Sequence, residues 1–320
     1  MSQPIETPRI RAAKAAARKH PSPPAWPSFE GKSKFVGASP GGRVTIFVDP
    51  SLGSRALQNA KDLASDADRV TSANDSLFGT VGGRVNVIVF ALGGATDGTG
   101  GADHLGCDFK NGAAIEVCAS YGRPDRVSAL FEAELSECSM NGNVCGESAG
   151  EALSRWCAAV IGNDALADFA TAPIWAADGM PDFVNRTDPT DQNADSTGCG
   201  MAFLSWLISE GHGLENIAPE LVALGDEGTL AQLYARLTSD DPGNAWTRFD
   251  NAIHGLTGGV TSDDPFAAIT QARQKAELVA AEVRAGVIPL TRRPTRRACV
   301  PGSRRLRPPR AARKTAPQAA

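Results

Sequence analysis

Hydrophobic positions fall into short β-branched runs in the first third of the chain and into helical periodicities after it. Two nearly continuous apolar runs, residues 43–49 and 84–92, predict buried strands, and residues 113–119 predict a third short strand that forms one arm of a hairpin. Apolar residues recur at helical spacing over residues 54–78, which predicts a helix. The glycine-rich residues 93–101 predict a loop.

From residue 124 onward the pattern is helical. The helix predicted over residues 196–209 is apolar on nearly every side, which is typical of a helix at the centre of a core. The order of elements predicts an α+β domain, with a small βαββ unit followed by a mostly helical half. The predicted helices of that half span residues 124–140, 147–161, 196–209, 214–224, 229–237, 244–253 and 263–284.

Composition divides the chain into four parts. Residues 1–42 and 286–320 are rich in basic residues, alanine and proline, without apolar periodicity, and predict disordered tails. Residues 43–256 form the predicted α+β domain, and residues 257–285 a linker and a helix.

The net charge of −4 conceals a strong asymmetry. Residues 1–42 carry about +5 and residues 284–320 about +11, which leaves roughly −20 between them. Basic tails of this kind could contact polyanions, but no aromatic residues interleave the C-terminal arginines and no specific nucleic-acid motif is present. No apolar run approaches the ~20 residues of a membrane span, and the N-terminus lacks the apolar core of a secretory signal. We therefore expect a cytoplasmic protein.

Six of the seven cysteines lie between Cys107 and Cys199, and the seventh is Cys299. No C-x-x-C pair occurs, which disfavours a zinc ribbon or a thioredoxin-type site. We expect mostly reduced, buried thiols; in an oxidising compartment the six could form three disulfides.

One carboxylate stands out on the helix predicted over residues 124–140. On a helical wheel, apolar side chains between residues 127 and 138 form one face, with Glu134 at its centre and Glu137 at its edge, while Glu132 points to solvent. A carboxylate aimed into a core is costly unless it is paired, protonated or bound to a cation. Glu134 is therefore either a functional residue or a structural carboxylate that an arginine or backbone N–H groups satisfy.

Residues 131–138, Phe-Glu-Ala-Glu-Leu-Ser-Glu-Cys, resemble the active-site helix of gluzincin-type zinc metallopeptidases, whose signature is His-Glu-x-x-His. Residues 150–154, Gly-Glu-Ala-Leu-Ser, resemble the second gluzincin helix, commonly written Asn-Glu-Gly-Leu-Ala. The resemblance implies a zincin-like fold with Glu134 as general base and Glu151 as a metal ligand. The helical layout that follows is similar to that of basic-secretory-protein-like peptidases.

Both histidines of the signature are replaced, by Ala133 and Glu137. Because zinc prefers nitrogen and sulfur ligands, a site reduced to Glu137 and Glu151 suits a hard divalent cation. His104, in a predicted loop, could supply one imidazole or simply be solvated. Glu151 also has a structural explanation, an i,i+4 ion pair with Arg155.

The resemblance and these departures favour a metallopeptidase-like domain without standard zinc-peptidase activity, that is, a binding or structural module on a peptidase scaffold. The alternative is a hydrolase that uses a non-standard metal site of Glu134, Glu137 and Glu151. Whether the chain is an enzyme stays open at this point.

Two further motifs suggest other kinds of functional site. Residues 146–150, Gly-Glu-Ser-Ala-Gly, match the G-x-S-x-G nucleophile elbow around Ser148. A loop rather than a strand precedes them, so these residues could equally form the N-terminus of a helix instead of the nucleophile elbow of a serine hydrolase.

A second segment, between residues 188 and 195, concentrates oxygen ligands without matching the EF-hand template. It is a candidate calcium loop or a turn leading into a helix capped by Asp195 or Ser196. Its candidate ligands are Asp188, Asp191, Asn193 and Asp195.

Overall fold

The computed structural model describes residues 21–94, 96–110 and 113–284. The predicted C-terminal tail, residues 1–20 of the predicted N-terminal tail, and Cys299 lie outside the described residues. The compact unit that holds the sheet and the helices runs to Gln274.

Five strands form one mixed sheet in the order β1-β2-β3-β5-β4. The three central strands β2, β3 and β5 are parallel, and β1 and β4 pair antiparallel at the two edges. The α+β class is confirmed. The prediction of a βαββ unit, however, did not include the two edge strands β1 and β4. Because β1 and β4 are short and largely solvent-facing, neither has the apolar run that marks the central strands. The strands are β1 Lys34–Ala38, β2 Val44–Val48, β3 Val85–Phe90, β4 Ala102–Leu105 and β5 Ala113–Cys118.

The helices follow the predicted order with one addition, α4, a short helix that no periodicity marked. α2 begins with a proline in its first turn, where the missing N–H costs nothing, and the side chain of Asn193 caps α5. The helices are α1 Gly53–Phe78, α2 Pro124–Ser139, α3 Ser148–Gly162, α4 Ala172–Ala177, α5 Ala194–Ser209, α6 Leu214–Leu224, α7 Leu230–Thr238, α8 Ala245–His254 and α9 Ala267–Arg284.

Two hydrophobic clusters organise these elements. One lies between the sheet, α1 and α2, and consists mainly of valine, isoleucine and alanine. The other surrounds α5, which is buried on nearly every side as predicted. Its aromatic centre joins Trp175, Phe203, Trp206 and Phe249 through stacked and edge-to-face contacts. Within the described residues, no helix has both the length and the apolar character needed to cross a bilayer.

The folded region extends beyond both predicted limits, residues 42 and 256. Before residue 42, Ser28 and Phe29 donate hydrogen bonds to the fully buried carboxylate of Glu116, at 2.6–3.1 Å. Beyond residue 256, Phe266 is buried and its backbone N–H donates to Ser205 Oγ. The prediction of a disordered tail before residue 42 missed the first segment, because Ser28 and Phe29 bond to a carboxylate of the domain rather than to water.

Gly150 fixes how closely α3 approaches the loop that precedes it. A Cβ atom at this position would lie 1.8 Å from the carbonyl oxygen of Val144. Gly150→Ala is therefore expected to destabilise the protein by about 3 kcal/mol, although alanine is the better helix former. Thermal melts would measure the loss. Gly37→Ala, where nothing lies within 4 Å, is the control, and equal stability of the two variants would contradict the packing.

Candidate functional site

The acidic side chains of helix α2 face different surroundings. It packs against α1, α3 and β5, so it has no solvent-facing side along most of its length. The prediction that Glu132 points to solvent is wrong, because its side chain is fully buried and Glu132 Oε1 accepts a 2.9 Å hydrogen bond from Asn74. Burial raises the pKa of Glu132 well above its ordinary value. The helical wheel failed here because it assumed one buried face.

Glu134 does not lie inside the apolar core but at the wall of a cavity, with its side chain 14% exposed. Its partner is an imidazole rather than an arginine, since His104 Nδ1 lies 2.7 Å from Glu134 Oε2. Burial raises the pKa of Glu134, and the contact with His104 partly offsets that rise.

The edge strand β4 positions His104 beside α2. β4 pairs antiparallel with β5, which places His104 opposite Ile115, and the chain then turns from β5 into α2. His104 Nε2 lies 3.6 Å from Glu137 Oε2, so the imidazole bridges two carboxylates of the helix. Burial lowers the pKa of His104, but Glu134 and Glu137 outweigh it and the net shift is upward. The structure thus brings together His104, Glu134 and Glu137, three of the site residues that the sequence singled out.

Glu151 completes the cluster from α3, which packs along α2. The predicted ion pair is present, with Arg155 Nε 2.6 Å from Glu151 Oε1. Burial, followed by the charges of Glu134 and Glu151, raises the pKa of Glu137 to about 8. Glu137 therefore holds its proton at neutral pH in the absence of a cation.

The cluster lies in a cavity of about 940 Å³. Eight carboxylate-bearing residues line it, against Arg155 and His104 as the lining residues that can carry positive charge. Arg155 is already engaged by Glu151 and by the carbonyl of Phe169. The field inside the cavity therefore attracts cations.

A disulfide joins Cys107, just after β4, to Cys145, just before α3. The expectation of mostly reduced cysteines misses this bridge, although Cys138, Cys157 and Cys199 are buried thiols as expected. Burial raises the pKa of Cys199 to about 12, which makes it an inert thiol. The disulfide lies against the site, with Cys145 Sγ 3.5 Å from His104 Nε2.

Ser148 is not arranged as a nucleophile. It opens α3 after a loop instead of following a strand, and it is 4% exposed. Its hydroxyl bonds to the carbonyl of Thr190 and to the hydroxyl of Ser196. Among the described residues, its hydrogen-bond partners include no imidazole, so the serine-hydrolase alternative has no geometric support.

The predicted calcium loop serves as a turn and a helix cap. Asn193, rather than Asp195 or Ser196, caps α5, because its side-chain oxygen accepts from the Asp195 N–H and its amide donates to Asp188. Asp191 bonds to the side chain of Gln192 and lines the cavity. Within the described residues, these acidic groups do not converge as a set of metal ligands.

Comparisons of the chain with protein-family models, with curated proteins and with solved structures each gave no match. No relative therefore contributes a function, a ligand or a catalytic residue to this chain. The geometry of its own residues carries the functional interpretation.

The contact between Glu134 and His104 makes a testable prediction about the imidazole. Glu134→Gln keeps the shape of the side chain but removes its charge, so the pKa of His104 should fall. Titration of the His104 ring protons by NMR would measure the change. Asp103→Asn removes a carboxylate with a smaller influence on the same ring and should produce a smaller fall. Equal shifts in the two variants would contradict the pairing.

Proposed function

We propose that the cavity is a divalent-cation site on a metallopeptidase-like scaffold, held by His104, Glu137 and Glu151, and that it lacks standard zinc-peptidase activity. The single observation that carries the proposal is an imidazole 3.6 Å from the carboxylate of Glu137 in an acidic cavity, where Glu151 lies close enough to raise the pKa of Glu137. Both helices that carry the gluzincin-like residues line this cavity, which supports the zincin-like assignment as part of the proposal.

The imidazole of His104 and the carboxylate of Glu137 are spaced to share one ion. Two donors bound at about 2.1 Å in a tetrahedral arrangement lie roughly 3.4 Å apart, and His104 Nε2 lies 3.6 Å from Glu137 Oε2. With its Nδ1 proton donated to Glu134, the imidazole presents the Nε2 lone pair toward Glu137. A carboxylate behind a ligating histidine fixes the ring in this way in many metal sites. Glu134 therefore acts as a positioning residue for His104.

The composition of the donor set decides which ion it suits. One imidazole and two carboxylates form an oxygen-rich set, and Ala133 supplies no second histidine. Such a set favours a hard or borderline ion such as Mn²⁺ over the nitrogen- and sulfur-rich environment that zinc prefers. Cation binding would also relieve the crowding of carboxylates that raises the pKa of Glu137.

Hydrolysis of a cationic, peptide-like substrate is the second candidate function. The observation in its favour is Glu134, which lies at the cavity wall beside the cluster and within reach of solvent. A divalent ion in this place would polarise a carbonyl group and acidify a bound water molecule. The other carboxylates of the cavity would attract the positive charge of the substrate.

Titration of the oxidised, full-length chain with Mn²⁺ by calorimetry tests the proposal. We expect one site in the wild type, and a loss of affinity of at least about 100-fold in Glu137→Gln and Glu151→Gln. Glu147→Gln is the matched control, because it removes an acidic charge near the start of α3 that does not line the cavity. Binding that persists in both cavity variants, or that is absent from the wild type, would overturn the proposal.

A further inference from the structure

The disulfide and His104 form a second group of potential metal ligands beside the cluster of carboxylates. The imidazole and the two sulfur atoms all lie within 4.8 Å of one another. We propose that reduction of the disulfide creates a Zn²⁺ site formed by Cys107, Cys145, His104 and Glu137. This inference goes beyond the proposed cation site: it shares His104 and Glu137 with that site, takes its other two donors from the cysteines, and does not require that the first site bind a cation.

Four of the six distances between the donor atoms match a zinc site. In a tetrahedral site with Zn–N and Zn–O of about 2.1 Å and Zn–S of about 2.3 Å, donors lie roughly 3.4–3.8 Å apart. Cys145 Sγ lies 3.5 Å from His104 Nε2 and 3.7 Å from Glu137 Oε2, and Nε2 lies 3.6 Å from the same oxygen. Cys107 Sγ lies 3.9 Å from Nε2. The two sulfur atoms must separate, and Cys107 Sγ must also move toward Glu137, which is not among the donors that lie within 4.8 Å of one another.

The two loops that carry the cysteines are held in place by more than the disulfide. The N–H of Gly142 donates to the carbonyl of Cys107, at 2.8 Å. The N–H of Val144, next to Cys145, donates to Asp226 Oδ1 at 2.6 Å. Reduction therefore leaves the two sulfur atoms near each other, and rotation of their side chains is enough to separate them to the distance that zinc requires.

The imidazole is oriented for this site as well. Glu134 holds Nδ1, so Nε2 faces the sulfur atoms and Glu137. Two thiolates, a carboxylate and an imidazole make a closed set of four ligands, which is typical of a zinc site without an open coordination position. The sulfur ligands select Zn²⁺ over the hard ions that suit the oxygen-rich cluster.

The chemistry balances with a thiol reductant as the co-reactant. Two reductant thiols supply two electrons and two protons, the Sγ–Sγ bond between Cys107 and Cys145 breaks into two thiols, and the reductant leaves as its disulfide. Zn²⁺ then displaces the two thiol protons to solvent and binds the two thiolates. Because the zinc-bound state uses His104 and Glu137, it withdraws both from the cavity, so the redox state of this disulfide would select which cation the protein holds.

Cobalt spectroscopy on the full-length chain tests the proposal without any substitution. The protein is reduced with a phosphine under anaerobic conditions and titrated with Co²⁺, alongside an oxidised sample. We expect a thiolate-to-cobalt charge-transfer band in the reduced protein alone, at about one metal per chain, and its loss when Zn²⁺ is added. Zn²⁺ should also protect Cys107 and Cys145 from alkylation, as peptide mass mapping would show. Absence of the band from the reduced wild type would overturn the proposal.

Two variants separate this site from the other thiols of the chain. Cys107→Ser should weaken Co²⁺ binding by about 100-fold or more and abolish most of the band, whereas Cys138→Ser removes a buried thiol of α2 outside the group and should retain it. A band of full intensity in Cys107→Ser would place the thiolate ligands elsewhere and contradict the assignment. Mn²⁺ binding by the oxidised chain is measured separately, so failure of one proposal is distinguishable from failure of the other.

Discussion

Replacing Glu137 with glutamine is expected to stabilise the metal-free protein at pH 9 and to leave its stability unchanged near pH 4. The pKa of Glu137 in the folded protein is raised to about 8, above the value of an unfolded glutamate. Ionisation therefore favours unfolding, and the stability associated with the protonated group is complete below the unfolded pKa and is lost as pH rises toward 8. Glutamine keeps the shape and cannot ionise, so it avoids that loss.

The expected gain at pH 9 is on the order of 3 kcal/mol, after allowance for the coupling of Glu137 to its neighbours. Thermal melts of the two proteins from pH 4 to pH 9, with chelator present, would measure it. Glu147→Gln removes a carboxylate that is only slightly buried and should show a much smaller pH-dependent gain. A loss of stability in Glu137→Gln at pH 9 would mean that the ionised carboxylate is a structural partner of His104. It would contradict the interpretation that these carboxylates repel one another in the metal-free protein.

Removing the disulfide is expected to have an effect of similar size and opposite sign. Cys107 and Cys145 are 38 residues apart in sequence, and closing a loop of that length in the unfolded chain corresponds to roughly 4 kcal/mol in the chain-entropy model. The double variant Cys107→Ser/Cys145→Ser should therefore melt roughly 10 °C below the oxidised wild type.

Reduction of the wild type provides the control for that comparison. In a phosphine reductant with chelator, the wild type should lose the same stability, and the difference from the double variant should nearly vanish. Equal melting of the oxidised and reduced wild type would show that the bridge does not constrain the chain. Recovery of stability in the reduced wild type on addition of Zn²⁺ alone would agree with the proposed zinc site.

The elements with strong hydrophobic periodicity were predicted closely. The parallel strands β2, β3 and β5 and the helix α6 lie within about two residues of their predicted limits, since long apolar runs and helical spacing are local signals. The edge strands β1 and β4 escaped prediction because backbone pairing to a neighbour, rather than side-chain pattern, makes them strands.

The candidate site was predicted in part. The features that sequence reasoning missed depend on contacts between distant parts of the chain. Glu137 could be named from its place at the edge of the apolar face of α2, and Glu151 from the resemblance of residues 150–154 to the second gluzincin helix. The place of His104 depends on β4, so no reasoning from a supposed loop could bring it to Glu134. The orientation of Glu132 depends on α1 packing behind α2, and the partnership of Cys107 with Cys145 depends on the approach of two loops. Each of these is a long-range contact.

Negatively charged side chains are concentrated around the cavity. Carboxylates from β4, α2 and α3, and from the segment before α9, surround one volume, and the arginine that lines it, Arg155, is engaged by Glu151. Such an arrangement is unfavourable without a positive ligand, because like charges in a poorly solvated space repel one another or hold protons. The proposed cation site gives that arrangement a function.

Proton release on cation binding tests the central claim most directly. Glu137, with its pKa raised to about 8, is mostly protonated at pH 7 and must lose its proton to bind a cation. Calorimetric titration of the oxidised wild type with Mn²⁺ in buffers of different ionisation enthalpy should show about one or more protons released per ion at pH 7, falling toward zero at pH 10. Binding without pH-dependent proton release, or no binding at either pH, would contradict the account.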